Sequence, residues 1–392
     1  MDPADAIDAT HANDPTVPRS READYRLNEV KVLLVILHAD RARGGAERYT
    51  LDLHESLRRR AVASVLAASS FVGLPPSQHH RSLPSPGATR SGRYRSFVRS
   101  LEDLLAREAF DLVHAMLPVP RCDLYHPHAG IASEEVARSP VQSWLNPRRR
   151  VFAEVERRLL ARPDAPIVLC LSNYIKGAIR AHHPIAEERL VRLFNAVNLD
   201  RFTPPHRSFD HTGLRLLMVA QDFARKGLRE TLLAMARTNR TDVTLTVVGN
   251  DSAPPFRRLA SRLGIASQIR FVGPTGDVRP FYADADALVL PTRHDPCSLV
   301  VLEALATGLP VISSRFNGAC EIMTDGVHGR VLDDPADIMA LAAAIEQLSD
   351  PATRQRTSEA CLALRPMLSW DHHVDSLLGI YKEELSRRSQ HA

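Results

Sequence analysis

No run of apolar residues in this chain approaches the ~20 that a membrane-spanning helix needs, and the polar opening up to Leu27 lacks the apolar segment of a secretion signal. The expectation is a chain neither threaded into a membrane nor exported by that route, working in the cytoplasm. Cysteine is scarce, 5 in 392 residues, scattered over Cys122, Cys170, Cys297, Cys320 and Cys361 without any CxxC spacing. Reduced thiols fit that pattern. Net charge is nearly absent as well, because 50 Lys and Arg against 46 Asp and Glu leave +4. Spread over this length, that excess does not point to nucleic acid. Neither G-x-G-x-x-G nor G-x-x-x-x-G-K-[ST] occurs, which counts against dinucleotide and P-loop nucleotide sites.

What is present is ordinary globular composition, 44% hydrophobic and 24% charged, in a chain longer than one core normally accommodates. From Lys31 onward short apolar runs alternate with amphipathic or alanine-rich stretches, the rhythm of an α/β fold with doubly wound parallel sheets. The expected strands are Lys31 to Leu37, Ala61 to Ala68, Leu112 to Met116 and Ile167 to Leu171, then Leu214 to Ala220, Val243 to Gly249, Ile269 to Gly273, Ala287 to Leu290 and Val311 to Ser313. Pro204 and Pro205 mark a hinge. The implied organisation is a disordered tail over 1–28, a first domain over 29–203, a second over 204–368, and a closing amphipathic helix and tail over 369–392. Two such sheets in tandem place a ligand cleft between the carboxyl ends of their strands.

Chemistry gathers at the ends of those strands. Gly44-Gly45 after the first strand opens a helix, so it reads either as a phosphate cradle or as a plain turn. Arg225-Lys226, after Leu214 to Ala220, suits a diphosphate, or else is a solvated pair in a loop. Asp295 and Glu303 stand eight positions apart, roughly two helical turns, so both carboxylates can face one cleft. The helix-start amides near Cys297, Ser298 and Leu299 would receive an anion and Glu303 ribose hydroxyls. An N-cap Asp with a surface Glu gives the same spacing.

The block from Asp295 to Pro310 resembles the signature of retaining glycosyltransferase family 4, in which two glutamates flank seven residues ahead of an alanine-rich helix. The order of the remaining parts agrees: Gly44-Gly45, Arg225-Lys226, Val248-Gly249-Asn250, then Asp295 to Glu303. Asp222 to Gly227 and Arg121 to Tyr125 look most like the bacterial lipopolysaccharide core glucosyltransferases. The resemblance implies a GT-B fold of two Rossmann-like domains, with the last helix crossing back to the first. It also implies a nucleotide diphosphate sugar, UDP-linked glucose by this likeness, held by the second domain. Arg225 and Lys226 would lie on the diphosphate, Gly249 near the base, Glu303 on the ribose and Asp295 nearest the transferred sugar. Transfer with retention and without metal would follow, since no Asp-x-Asp or histidine group reads as a metal site. Asp123, His126 and His128 would face a glycolipid acceptor, Asp123 with a catalytic part. One departure is that Asp295 stands where the family has Glu, one methylene longer.

The stretch from Trp144 to Arg162, with Arg148, Arg149, Arg150, Arg157 and Arg158, mixes aromatics with cations. It suits the headgroups of an anionic leaflet, or else is an exposed basic helix. Two other functions share the architecture, a UDP-N-acetylglucosamine epimerase and a nucleotide-sugar-binding protein without turnover.

Overall fold

The computed structural model describes residues 29–128, 130–138 and 146–390. The tail expected over 1–28, together with Trp144 and Leu145 of the basic stretch, lies outside these residues.

The first domain supplies β1 (Lys31–Val35), β2 (Ala39–Asp40), β3 (Ala63–Ala68), β4 (Phe71–Val72), β5 (His80–Ser82), β6 (Leu112–Ala115), β7 (Leu124–Tyr125), β8 (Ile167–Cys170) and β9 (Leu190–Arg192). Its helices are α1 (Gly45–Arg59), α2 (Arg90–Arg107), α3 (Ala132–Arg138), α4 (Pro147–Leu160) and α5 (Asn173–His182). Seven of the strands form one sheet in the order β5-β3-β1-β6-β7-β8-β9, all parallel. The central strands are apolar along their whole length because helices cover both faces; in β1, Val32 to Val35 are all fully buried.

The second domain supplies β10 (Leu214–Val219), β11 (Val243–Val248), β12 (Ile269–Gly273), β13 (Ala287–Leu290), β14 (Val311–Ser314) and β15 (Gly329–Leu332), in the order β12-β11-β10-β13-β14-β15. Its helices are α6 (Leu228–Arg237), α7 (Pro254–Arg262), α8 (Arg279–Asp284), α9 (Leu299–Ala306), α10 (Ile338–Leu348) and α11 (Pro351–Ala363). A short α12 (Arg365–Leu368) then leads into α13 (Trp370–Gln390). The strands expected from sequence are found within two residues of their observed ends. The unforeseen ones are β2, β4, β5, β7, β9 and β15, each of two to four residues, too short to display a period.

The chain passes between domains twice, and the two passages touch: Val197 bridges Ser369, and its amide donates to the Leu368 carbonyl at 2.8 Å. Beyond that point α13 leaves the second domain and completes the core of the first. Val374, Leu377, Ile380, Tyr381 and Leu385 share a buried cluster with Val32, Leu34, Leu53 and Leu57. Two buried polar contacts fix its rotation, Tyr381 Oη with His114 Nδ1 and Tyr49 Oη with His373 Nε2, both at 2.7 Å. Removing the first leaves a buried imidazole nitrogen unpaired, which costs about 1–3 kcal/mol. Tyr381→Phe should therefore lower the urea midpoint by that equivalent with an unchanged slope, and an unaltered midpoint would show that the bond contributes nothing.

Candidate active site

The carboxyl ends of both sheets open onto one cleft of about 700 Å3, walled on one side by Gly44, Gly45, Glu47, His128 and Asn195. Facing them are Val219 to Gln221, Arg225, Lys226, Val248 to Asn250, Pro274, Thr275, Asp295 and Cys297 to Val300. Gly249 closes the end of β11 with φ at 152°, and a Cβ there would stand 1.6 Å from the Ala220 carbonyl oxygen. Only glycine fits so close an approach of backbone to backbone.

At the floor of the cleft Lys226 Nζ pairs with Asp295 Oδ2, both side chains largely buried. Burial pushes the Lys226 ammonium below the ordinary lysine range, and Asp295 opposes that shift. Arg225 lies beside it, half-exposed, its Nε 3.1 Å from Asp222 Oδ2 and its Nη1 donating to the His294 carbonyl at 2.5 Å. Asp295 is gripped through its backbone: its amide donates to the Phe316 carbonyl at 2.9 Å, and its carbonyl accepts from Gly318 at 3.0 Å.

Several sequence expectations change here. The amides of Cys297 and Ser298 are already engaged, by Asp295 Oδ1 and Asn317 Oδ1, each at 3.2 Å. Leu299 and Val300, the first residues of α9, line the cleft together with Cys297 and Ser298. Glu303 does not share the wall with Asp295. Helical periodicity starts at Leu299 rather than at Asp295, so Glu303 opens on a chamber of about 80 Å3 behind Leu299, with Arg48, Tyr49, Asp52 and Arg201. Its carboxylate accepts from Tyr282 Oη at 2.9 Å. Burial, only partly offset by that bond, raises its pKa to about 7.

On the other wall, the three residues expected to follow β6 as one loop are separated by β7. Asp123 precedes β7, at the amino ends of the strands, where Oδ2 accepts from the Val113 amide at 2.7 Å and Oδ1 pairs with Arg388 at 3.0 Å. It does not line the cleft. His126 is fully buried, with both ring nitrogens unpartnered and its ring stacked on that of His114, and it does not line the cleft. His128 alone emerges in the cleft, its ring 4.0 Å from those of Tyr49 and His126. Burial holds both imidazoles well below their ordinary range. Among the described residues no group of three or more His, Cys, Asp or Glu is arranged to hold a metal ion.

The residues that fasten the Asp295 loop across the cleft escaped the sequence reading. Glu321 accepts from the amides of Asn173 and Tyr174 at the start of α5, at 2.7 and 2.8 Å. Ser172 Oγ donates to the Pro296 carbonyl at 2.7 Å, and Tyr174 Oη bonds His294 Nδ1 at 2.7 Å. Gly318 is forced there, since a Cβ would stand 2.0 Å from the Pro296 carbonyl oxygen. An Asn317-Gly318 turn just past a buried strand was the available signal.

The Glu303 carboxyl keeps its proton to higher pH in the folded chain than its ordinary value of 4.5. Folding therefore takes up a proton between that value and about 7, and the stability of the ligand-free protein falls as pH rises through this window. Glu303→Gln should flatten that fall; urea unfolding near pH 5 and near pH 8 checks it, and an unchanged slope would place the titration elsewhere.

With this geometry in view, the comparisons divide at the hinge. Residues 43–201 match the family described as Glycosyltransferase Family 4, and residues 213–350 match Glycosyl transferases group 1. The lipopolysaccharide glucosyltransferase WaaG of Escherichia coli is 26% identical over 308 residues, covering 74% of this chain and 82% of that protein. The D-inositol 3-phosphate glycosyltransferase of Thermobifida fusca is 28% identical over 399 residues, covering 87% and 89%. In structure, WaaG superposes with a TM-score of 0.72 at 23% identity, over 86% of this chain and 95% of that one. HepE of Anabaena, in complex with UDP and glucose, gives 0.67 at 18% identity over 89% and 98%. Both share the GT-B fold found here.

Proposed function

The chain belongs to the glycosyltransferases, family 4 in its first domain and group 1 in its second, and from that premise we propose that it moves a hexose, glucose in the first instance, from a UDP-sugar to a glycolipid of the bacterial envelope such as lipopolysaccharide core. The observation that carries this is the Lys226–Asp295 pair beside Arg225 at the start of α9. A diphosphate entering there takes Lys226 from Asp295, gaining two cations and the first amides of α9. As the bond from the anomeric carbon to the phosphate oxygen breaks, its electron pair goes to the diphosphate, whose charge Arg225 and Lys226 neutralise without a metal ion, while the acceptor hydroxyl oxygen bonds the anomeric carbon and its proton passes to the departing diphosphate. Asp295, freed from its partner, is left beside the transferred sugar, with configuration retained. Glu303 meets the ribose once Leu299 gives way, and Gly249 leaves room for the base. His128 stands on the acceptor wall. The named activities of WaaG and of HepE's bound ligands support donor and acceptor; the inositol phosphate relative widens the range of acceptors to be tried.

A thermal-shift screen of UDP, GDP, ADP and CMP should give stabilisation by UDP that Arg225→Ala with Lys226→Ala abolishes. No shift with any nucleotide in the wild type would refute the donor site. Asp295→Asn should keep UDP binding while transfer falls about 100-fold, and EDTA should leave the wild-type rate unchanged. Binding without turnover would identify the silent alternative.

Attachment to the cytoplasmic face of the membrane through residues 144–162 is part of the same reading. No helix among the described residues is long and apolar enough to cross a membrane. Much of the basic charge is matched locally, Arg149 by Glu135 at 3.6 Å, Arg157 and Arg158 by Glu154, and Arg162 by Asp164 at 2.8 Å. Attachment should accordingly be weak and salt-sensitive. Sedimentation with anionic vesicles at low salt measures it; equal pelleting with neutral vesicles would remove the basic stretch from the explanation.

A further inference from the structure

Beyond the two passages of the chain, the bonds that join the domains gather at the start of α5. Leu171, just past β8, is buried within the apolar cluster of the second domain, and the three residues after it each hold that domain. Ser172 donates to the Pro296 carbonyl, Asn173 and Tyr174 give their amides to Glu321, and Tyr174 Oη bonds His294. Glu321 belongs to a short 3-10 turn of the second domain, Gly318–Ile322. Its one carboxylate thus satisfies two free amides at a helix start, where the dipole favours an anion. Arg192 at the end of β9 lies 4.0 Å from the same carboxylate, and Asn195, two residues before the first passage, adds a bond of 3.5 Å to the Cys297 carbonyl. The contact leaves no room to slide, since a Cβ on Gly318 would stand 2.2 Å from Ser172 Oγ.

The Gly44-Gly45 wall meets the second domain differently. Among the described residues no hydrogen bond or ion pair links Gly44, Gly45 or Glu47 to that domain. What faces Gly45 is the Leu299 side chain, with Cδ1 3.1 Å from the position of a Cβ there. Bonds to a charged acceptor are strong, whereas one apolar contact is weak. The passage at Val197 and Ser369, which follows β9, and the start of α5, which follows β8, therefore define a firmly held line along neighbouring strands. The Gly44-Gly45 wall follows β1, three strands from β8 in the sheet, which is an arm of roughly 14 Å. Rotation about the held line parts Gly45 from Leu299, widening the cleft and uncovering the chamber that holds Glu303. Asp295, bonded to Phe316 and Gly318 beside Glu321, sits near the line, where displacement is least. Pro296 stays against Gly130, two places past His128, at 3.4 Å from the Cβ position there.

We propose that Glu321 is the pin of a one-sided hinge. The second domain swings about the start of α5 and the adjoining passage, the Gly44-Gly45 wall opens to admit the nucleotide sugar, and Asp295 keeps its place against the first domain throughout. This rests on the glycosyl-transfer reading of the cleft. Glu321 does not line the cleft; it is a positioning residue that acts through the Asp295 loop.

All five native cysteines are buried, so spin labels can be directed to introduced ones in the full chain. Ala42→Cys with Ser252→Cys spans the mouth of the cleft, Gly177→Cys with Val327→Cys spans the pin, and all four positions are exposed. Pulsed electron resonance should show a broad mouth distance that shortens and narrows with UDP, and a pin distance that UDP leaves unchanged. Glu321→Ala should broaden the pin distance and slow turnover of UDP-glucose by ~10- to 100-fold, with UDP affinity unchanged. Glu321→Gln, which keeps an acceptor oxygen, should recover most of both. Equal movement at mouth and pin, a mouth that bound UDP leaves unmoved, or a pin distance or turnover rate untouched in Glu321→Ala would each overturn the proposal. A wild type that binds no UDP would instead overturn the donor reading, and the pin would still be judged by whether Glu321→Ala broadens its distance in the ligand-free protein.

Discussion

The ion pair between Lys226 and Asp295 is the contact on which the site depends. It joins the loop after β10 to the loop after β13, from strands adjacent in the sheet. Both side chains are largely buried, and removing one would strand the other charge at a cost of several kcal/mol. Each therefore holds the other until an anion arrives. In the proposed reaction a diphosphate replaces Asp295 as the partner of Lys226, so that donor binding and release of the carboxylate become one event. The same carboxylate's backbone is tied to Phe316 and Gly318, and that segment is tied to α5 through Glu321. The position of Asp295 is thus set by contacts from both domains, although its side chain belongs to one.

Much of this was legible in the residues. Short apolar runs alternating with helical stretches pointed to the two sheets, and Gly44-Gly45, Arg225-Lys226, Gly249, Asp295 and Leu299 all lie where strand ends meet the cleft. The misplacements share a cause, which is that local spacing does not say where an element starts. Counting two helical turns from Asp295, with a helix expected from about Cys297, brought Glu303 to its side, whereas the helix begins at Leu299. Reading 116–128 as one loop put Asp123 and His128 together, whereas the two residues of β7 carry the chain across the sheet between them. Glu321 and Tyr174 were invisible because they lie 147 positions apart and only the tertiary fold joins them.

The arginines of the basic stretch behave differently from one another once placed. Arg157 and Arg158, in the last turn of α4, pair with Glu154 on their own helix, while Arg148 at its start lies over Phe152 and has no carboxylate partner among the described residues. Composition alone had treated them as one surface. Sorting them by partner separates charge that is already neutralised from charge that is available to a ligand.

The docking of α13 has a consequence for how the protein is made. The last strand of the first sheet ends at Arg192, yet the buried cluster beneath that sheet is filled by Val374, Leu377, Tyr381 and Leu385. As the chain emerges from the ribosome, the first domain must wait with one apolar face uncovered while the entire second domain is synthesised and folds. The second domain can close its own core early; the first becomes native only once α13 has emerged. A stalled or clipped product missing α13 would carry a folded second domain joined to an unfinished, adhesive partner, so docking of that helix decides when the first domain leaves its aggregation-prone stage.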